Sequence, residues 1–229
     1  MYFVNWQRNI SIMELNGRKV VIKCNKSSKN FREYILISAY TLLSISTCHP
    51  APPPRIGNRI VLNEGFQMRK KLEGIGISTP RLISISEKQL IEDFIEGGNL
   101  YEAILNGKDP YLAFNVGVIT GKLHNSGYVF IDNKAQNYLV TLSNGLLRTD
   151  LAFIQRDNSL YSRSFDIGSF LASVMGLESK KYDQIENALL EGYKTQTNKS
   201  FPYLSVVLRN ILCFGLSSSF TMFTNMISH

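Results

Sequence analysis

One stretch of this chain constrains its fold more than any other, the segment from Asp132 to Asn137 with Asp150 thirteen residues further on. Two short apolar runs, residues 138–142 and 146–149, lie between them and are joined by Ser-Asn-Gly, which predicts a β-hairpin. The hairpin would bring Asn137 and Asp150 side by side. Since magnesium prefers oxygen ligands, these two side chains are candidates for a metal site, and Asp132 is a candidate proton acceptor.

Composition is that of a globular protein. The chain has 229 residues, of which 44% are hydrophobic, so it can bury a sizeable core as one domain or two tight lobes. The N-terminus lacks the basic start and apolar run of a signal peptide. Three scattered cysteines indicate a reducing, cytoplasmic setting without disulfides. The last 20 residues are rich in Ser, Thr and Asn, which favours a packed helix over a membrane span.

Charge is distributed unevenly along the chain. Residues 1–81 carry 13 Lys and Arg against 4 Asp and Glu, a balance of +9, whereas residues 82–229 carry 12 against 14, a balance of −2. The basic part is therefore expected to meet an anionic partner, such as nucleotide phosphates, tRNA or an acidic protein. A solvated basic face is the alternative.

The first 100 residues predict a small sheet with helices inserted. Strands 10–15 and 18–24 flank Asn16-Gly17, a type I′ turn signal, and Lys23 closes the second strand. Residues 30–46 predict a helix whose apolar side carries Phe31, Tyr34, Ile35, Leu42 and Ile45. A Pro-rich linker at 50–54 and a basic helix over 59–73 follow. A second hairpin, 81–86 and 88–95, ends at Gly97-Gly98, and Asn99 can cap the next helix.

Apolar residues at helical spacing predict an amphipathic helix over 110–125, with Leu112, Val116, Ile119 and Leu123 on one side. His124 closes this helix and is expected to be a helix-end residue rather than a catalytic base. A helix, a glycine stop and a strand therefore precede Asp132.

This ordered set resembles the small, atypical protein kinases, namely the RIO kinases and the kinase subunit of the KEOPS tRNA-modification complex. The kinase element H-R-D-L-K-P-E-N has its counterpart in residues 130–137, and Asp150-Leu-Ala152 stands in place of D-F-G. The segment from Asp150 to Asp166 is short and lacks A-P-E, which is typical of the atypical kinases. The resemblance covers roughly residues 10–195.

The resemblance implies an α+β, bilobal protein kinase-like fold. Residues 1–95 would form an N-lobe with a small antiparallel sheet, and residues 96–229 a mostly helical C-lobe. In this arrangement Asp166 supports the catalytic loop. Residues 191–193 resemble a late segment of the KEOPS subunit.

Each candidate site residue takes a role from the resemblance. Asp132 orients or deprotonates the acceptor, and Lys134 neutralises the migrating phosphoryl group. Asn137 and Asp150 hold Mg2+. The remaining candidates bind ATP: Lys23 grips the phosphates, Glu64 (or, second, Glu73) pairs with Lys23, and the backbone of Asp93–Ile95 meets the adenine. Glu92 stands where kinases usually have an apolar residue, and its burial would be costly unless it is paired.

The resulting prediction is an ATP- and Mg2+-dependent atypical serine/threonine protein kinase acting on a protein substrate away from membranes. Two alternatives remain open: an ATP-binding or ATPase regulatory subunit of a tRNA-modifying, KEOPS-like complex, and a catalytically inactive scaffold. A carboxylate pair could also serve a glycosidase. The intervening Lys134 and Asn137 argue against that function.

Overall fold

The Asn16-Gly17 turn begins the fold as predicted. Both residues have positive φ, 51° and 73°, and they join β1 (Arg8–Leu15) to β2 (Arg18–Asn25). Strands β3 (Leu82–Ile85) and β4 (Gln89–Asp93) complete a four-stranded antiparallel sheet in the order β1-β2-β4-β3. The computed structural model describes residues 8–25, 29–54, 64–197, 199 and 202–213.

Two helices lie between β2 and β3. Helix α1 (Lys29–Ser46) matches the predicted helix over 30–46, and α2 (Phe66–Gly74) matches the second half of the helix predicted over 59–73. Residues 59–63 of that prediction lie outside the described residues. Between the helices, the described part of the Pro-rich linker, residues 50–54, has no regular secondary structure.

The apolar side predicted for α1 is wrong where the structure describes it. Leu42 and Ile45 are 67% and 61% exposed, whereas Tyr40 and Ser44 are buried. Tyr40 is buried because it lies edge-on to Tyr161 and Phe165 and its O–H lies 2.5 Å from Ser162 Oγ. The packing face of α1 therefore combines the polar-tipped Tyr40 and Ser44 with the half-buried Leu43.

The second half of the chain is mostly helical. Helix α3 (Leu100–Leu105) begins at Asn99, whose side chain accepts a hydrogen bond from Glu102 N–H at 3.0 Å, as the capping signal predicted. A 3-10 turn, Pro110–Leu112, leads into α4 (Ala113–Asn125). Helices α5 (Leu160–Val174) and α6 (Ser179–Gln196) follow, and residues 205–213 form α7.

Two short strand pairs hold the loops of this half. Strand β5 (Tyr128–Val129) pairs with β8 (Gln155–Arg156), and β6 (Tyr138–Val140) pairs with β7 (Leu146–Arg148). The second pair is the hairpin predicted between Asn137 and Asp150.

The main hydrophobic core lies among the helices of this half, chiefly α4, α5 and α6, and α4 approaches α6 closely. A Cβ on Gly117 would lie 2.1 Å from Leu189 O, and one on Gly192 would lie 2.0 Å from Phe114 O, so only glycine fits at either crossing. A smaller core joins α1 to α5 through Tyr40, Phe165 and residues of the loops between them.

The described residues therefore form an α+β protein with a small antiparallel sheet followed by a helical half, which is compatible with the bilobal fold expected from the sequence. Among these residues, none of the helices combines the length and the apolar character needed to span a membrane.

Candidate active site

Asp166 organises the loop that carries Asp132. Its fully buried carboxylate accepts hydrogen bonds from the backbone N–H groups of Phe130 and Ile131, both at 2.7 Å. His124 Nε2 lies 3.1 Å from the same carboxylate. Hydrogen bonds to an ionised acceptor are about twice as strong as neutral ones, so this contact fixes the loop. Asp166 thus supports the candidate catalytic loop, as the resemblance implied.

His124 is a structural residue rather than a base open to substrate. Its ring is fully buried, and Nδ1 lies 2.9 Å from the Tyr193 hydroxyl on the side opposite Asp166. Burial lowers the pKa of His124 below its usual value of 6.5, although Asp166 acts in the other direction. The neutral ring can donate from Nε2 to Asp166 and accept at Nδ1 from Tyr193.

Two residues beside the candidate site have left-handed backbone. Ile131 has φ of 63° and Asp150 has φ of 57°. Aspartate tolerates this region better than most residues, but a β-branched residue there is an outlier. Such strain costs on the order of 1–3 kcal/mol and collects at functional sites. The strain at Ile131 is held by its hydrogen bond to Asp166.

Asp132, Lys134 and Asn137 meet at the end of this loop. Lys134 Nζ lies 2.6 Å from Asp132 Oδ1, and Asn137 Nδ2 donates to the Asp132 carbonyl at 2.8 Å and to Oδ2 at 3.3 Å. The amide nitrogen of Asn137 is thus committed to Asp132, so its side-chain oxygen remains as the candidate ligand atom. The structure brings these three predicted residues together.

Arg148 was missed by the sequence analysis. Its guanidinium, fully buried against the rings of Phe130 and Tyr138, donates to the carbonyls of Asp132 at 2.8 Å and Asn137 at 3.0 Å. The only signal was a single arginine at the end of a short apolar strand. By binding both carbonyls, Arg148 fixes the spacing of the two candidate residues.

Lys23 reaches the same region from the sheet. Its ammonium lies 2.6 Å from Glu92 Oε1 and 2.5 Å from Thr149 Oγ1, and the Thr149 hydroxyl donates to Glu92 Oε1 at 2.9 Å. Thr149 N–H donates in turn to the Asn137 carbonyl at 3.0 Å. Continuous contacts therefore connect Lys23 with the loop that carries Asp132.

The predicted ion pair between Lys23 and Glu64 is wrong. Glu64 instead accepts two hydrogen bonds from the Arg8 guanidinium, at 2.7 and 3.1 Å, and both side chains are buried. Lys23 takes Glu92 in its place because β2 and β4 are neighbouring strands. The second-ranked partner, Glu73, lies at the exposed end of α2.

Buried positive charges stabilise the ionised carboxylates of Glu92, on β4, and Asp150. Burial alone would raise the pKa of Glu92, but Lys23 and then Arg69 outweigh it and lower that pKa below its usual value. Burial likewise disfavours the ionised form of Asp150, and Arg8 and Lys23 outweigh it to lower the pKa. Both carboxyl groups are therefore charged at neutral pH.

The donor set at Asp150 fits a single magnesium ion. Among the described residues, Asp150 Oδ1 is buried and accepts no hydrogen bond, although Arg8 Nη1 lies 3.9 Å away. An ionised oxygen left without a donor fits a cation that prefers oxygen ligands. No group of three His, Cys, Asp or Glu side chains gathers for a metal in the described part of the chain, at Asp150 or at any other position.

The predicted adenine-binding segment lies at the end of β4. Asp93 N–H donates to Arg81 O at 3.0 Å, and the Asp93 carboxylate lies 3.3 Å from Arg81 Nε. Ile95 is half-buried just beyond the strand. A Cβ on Gly97 would lie 2.0 Å from Val140 O, so the segment passes directly over the β6–β7 hairpin. Contact of Asp93 and Ile95 with adenine stays a prediction.

Three similar proteins share one name, "Probable bifunctional tRNA threonylcarbamoyladenosine biosynthesis protein". They come from Methanococcus maripaludis (strain C5), Methanocaldococcus jannaschii and Methanosarcina mazei. Identity is 26% over 126 residues, 25% over 126 and 30% over 118, respectively. The matches cover 54%, 54% and 52% of this chain but only 23%, 23% and 20% of the relatives.

The chain thus spans less than a quarter of the length of these relatives, and no protein-family model matches it. The relatives' shared name concerns tRNA modification, which is consistent with the resemblance to the KEOPS kinase subunit. The comparisons therefore establish similarity to tRNA-modification proteins, and the geometry establishes a cluster of charged and polar side chains that links the sheet to the loop carrying Asp132.

Proposed function

We propose that this chain is an ATP- and magnesium-dependent protein of bilobal, kinase-like fold that hydrolyses ATP as a subunit of a tRNA-modifying assembly. The observation that carries the proposal is the chain of contacts that brings Lys23 together with Asp132, Asn137 and Asp150. Lys23 comes from a distant part of the sequence, and phosphoryl transfer needs a phosphate-binding cation, a proton acceptor and metal ligands at one site.

In this proposal, Asp132 accepts the proton of the attacking oxygen at its carboxylate. Such general-base help is worth about 10²–10⁴ in rate. Lys134, 2.6 Å from Asp132 Oδ1, orients that carboxylate and balances its charge. Lys23 donates to a phosphate of ATP. The backbone near Asp93 and Ile95 would hold the adenine.

Magnesium would be held by Asn137 and Asp150, and when bound it supplies positive charge to the phosphate oxygens. Two features of the chain hold Asn137 and Asp150 in position. Thr149 N–H binds the Asn137 carbonyl at 3.0 Å, and the β6–β7 pairing sets Tyr138 opposite Arg148. The two candidate ligands are therefore held at matching ends of one hairpin.

Helix α1 favours water as the acceptor over a folded protein. Its Tyr40 ring lies against Phe165 and belongs to the same buried cluster as Phe153 and Ile131, which is the residue before Asp132. Tyr161 O–H also donates to the Tyr40 carbonyl at 2.8 Å. In a protein kinase, the segment after the metal-binding Asp is where a protein acceptor would dock. Here Tyr40 of the chain's own helix shares a buried cluster with Ala152 and Phe153 of that segment.

Transfer to a protein hydroxyl is the second candidate, and the Asp132–Lys134 pair favours it. A lysine two residues after the catalytic aspartate is the serine/threonine kinase pattern in the resemblance. The two candidates differ only in the acceptor, so one assay can separate them.

The link to tRNA rests on the relatives' names and on surface charge. Part of the basic excess is internal, since Arg8, Lys23 and Arg69 are buried in ion pairs. Arg18 and Lys19, next to the β1–β2 turn, are exposed. They are the proposed contacts with RNA phosphates. Binding of tRNA should therefore weaken as salt rises.

The test is incubation with γ-labelled ATP and magnesium, with and without tRNA, following free phosphate and labelled protein separately. Release of free phosphate supports the ATPase proposal, and labelled protein supports the kinase candidate. Asp132→Asn should reduce turnover by about 10²-fold or more while ATP binding persists. Asp150→Asn should lose magnesium-dependent ATP binding as well. Asp183→Asn, at an exposed position on α6, is the matched control. Turnover unchanged in Asp132→Asn would refute the mechanism.

A further inference from the structure

The carboxylate that holds Lys23 comes from the sheet. Residues Lys23 and Leu90 are directly paired in the β2–β4 register, as are Val21 and Glu92. Lys23 and Glu92 are thus diagonal neighbours on one face of the sheet, a separation that long side chains span. Two of the three N–H donors of Lys23 go to Glu92 and Thr149, and the described residues offer no further partner for the third.

Helix α2 contributes a positive charge to this cluster. Arg69 Nη2 lies 2.7 Å from Glu92 Oε2, so the two oxygens of Glu92 are divided between Lys23 and Arg69. The other nitrogens of Arg69 bind the Glu64 carbonyl at 3.0 Å and the Pro80 carbonyl. Every nitrogen of the Arg69 fork is therefore engaged, and the side chain is fixed in one orientation.

The carboxylate that pairs with Lys23 comes from a different element than the sequence predicted. The prediction paired Lys23 with Glu64, which precedes α2. In the structure that helix supplies Arg69, β4 supplies the carboxylate, and Glu64 is occupied by Arg8. A buried carboxylate without a partner is strongly unfavourable, and here each one is paired.

We propose that Glu92 and Arg69 are the positioning residues of the ATP site, with Glu92 holding Lys23 toward the phosphates and Arg69 holding Glu92. This inference rests on the proposed function, in which Lys23 binds phosphate. Lys23 and Glu92 lie on neighbouring strands of one sheet, so the sheet itself sets their pairing. Helix α2 contributes the second contact, because its Arg69 holds the other oxygen of Glu92.

A double-mutant cycle on MgATP affinity tests the assignment. The variants are Lys23→Met, Glu92→Gln and the two combined, and Glu64→Gln alone and with Lys23→Met forms the matched comparison. Glu92→Gln should weaken MgATP binding about tenfold, within the ~2- to 150-fold range for coupled neighbours. In the Lys23→Met background it should have no further effect. Glu64→Gln should change MgATP affinity by about the same factor in the Lys23→Met background as in the parent protein.

Adenosine binding provides a second readout. If Glu92 only supported the fold, Glu92→Gln would weaken adenosine binding as well. Lys23 meets only phosphates, so Glu92→Gln should weaken MgATP binding but leave adenosine binding within about twofold, below the coupling range of contacting residues. A parallel loss of both ligands would mean that Glu92 only supports the fold, and would overturn the proposal. The same holds if Glu92→Gln weakens MgATP equally with and without Lys23.

Urea unfolding of the same variants, measured without ATP, shows which carboxylate pairs with Lys23. The folding equilibrium constant should show a coupling of about fivefold or more between Lys23 and Glu92, and little between Lys23 and Glu64. If the parent protein binds no MgATP, the proposed function fails, while this cycle still reports which carboxylate holds Lys23. Coupling to Glu64 instead of Glu92 would overturn the inference.

Should Glu92→Gln fail to fold, Thr149→Val replaces it in the cycle, because it removes the hydroxyl that bridges Lys23 and Glu92 but keeps the side-chain shape. Its effect on MgATP affinity should likewise disappear in the Lys23→Met background. An effect of equal size in both backgrounds would contradict the proposal.

Discussion

Replacing Asp166 with Asn should destabilise the whole protein through one loop. The Asp166 carboxylate accepts the N–H groups of Phe130 and Ile131, both at 2.7 Å, and contacts His124. An amide keeps the shape but has one oxygen, so one buried backbone N–H would face an amide N–H instead. Losing one bond to a charged acceptor (about 1.5–3 kcal/mol) and stranding a donor (about 1–3 kcal/mol) gives about 3–5 kcal/mol in total.

Urea denaturation of the parent and Asp166→Asn would measure this loss directly. In a domain of this length about 1 kcal/mol corresponds to roughly 2–4 °C, so the melting temperature should fall by about 10 °C. Asp183→Asn, exposed on α6, makes the same chemical change and should alter stability by less than about 0.5 kcal/mol. A loss below about 1 kcal/mol in Asp166→Asn would show that the loop does not depend on these bonds.

Two further substitutions test the packing around the site. Because burial lowers the pKa of His124 from 6.5, the folded protein keeps it neutral, and its stabilising effect is complete above about pH 6.5 and declines below it as the unfolded chain takes up the proton. Urea denaturation at pH 7 and 5.5 should show that His124→Gln reduces this acid-induced loss, whereas the control His49→Gln, at a half-buried position in the loop after α1, retains it. Gly97→Ala should cost at least about 2 kcal/mol in thermal unfolding, because its Cβ would lie 2.0 Å from Val140 O. Gly74→Ala, which meets nothing within 4 Å, should be neutral or stabilising by up to about 1 kcal/mol, and equal losses in the two glycine variants would refute the steric argument.

Local signals predicted the turns and hairpins of this protein well. The Asn16-Gly17 turn has positive φ at both residues and the turn of the later hairpin has it at Asn144, and such a requirement is visible in a few adjacent residues. Asn16, Gly17 and Asn144 have φ of 51°, 73° and 61°. The hairpin at Asn144 places Asn137 and Asp150 near each other, which is why the position of the candidate site could be predicted.

The partners within the site could not be predicted in the same way. Lys23 and Glu92 are far apart in sequence, and their contact depends on which strands are neighbours in the sheet. The lone arginines Arg8, Arg69 and Arg148 gave no signal of burial, because each needs a specific carboxylate or carbonyl group supplied by another element. Ion pairing across elements is a property of the assembled fold rather than of a local pattern.

The prediction of the packing face of α1 was wrong for a different reason. Hydrophobic periodicity assigns the core side by apolar content, so Leu42 and Ile45 were placed inward. The structure instead buries Tyr40, whose hydroxyl finds Ser162. An aromatic ring with a satisfied hydroxyl brings much apolar area to an interface, and periodicity alone does not detect it.

Helix α1 also affects how the two parts of the molecule can move. The chain leaves the sheet after β2, packs Tyr40 against α5, and returns to the sheet through α2 and β3. A second connection runs from β4 through Gly97 to α3. The sheet and the helical half are therefore tied at two separate places, which resists twisting of one about the other.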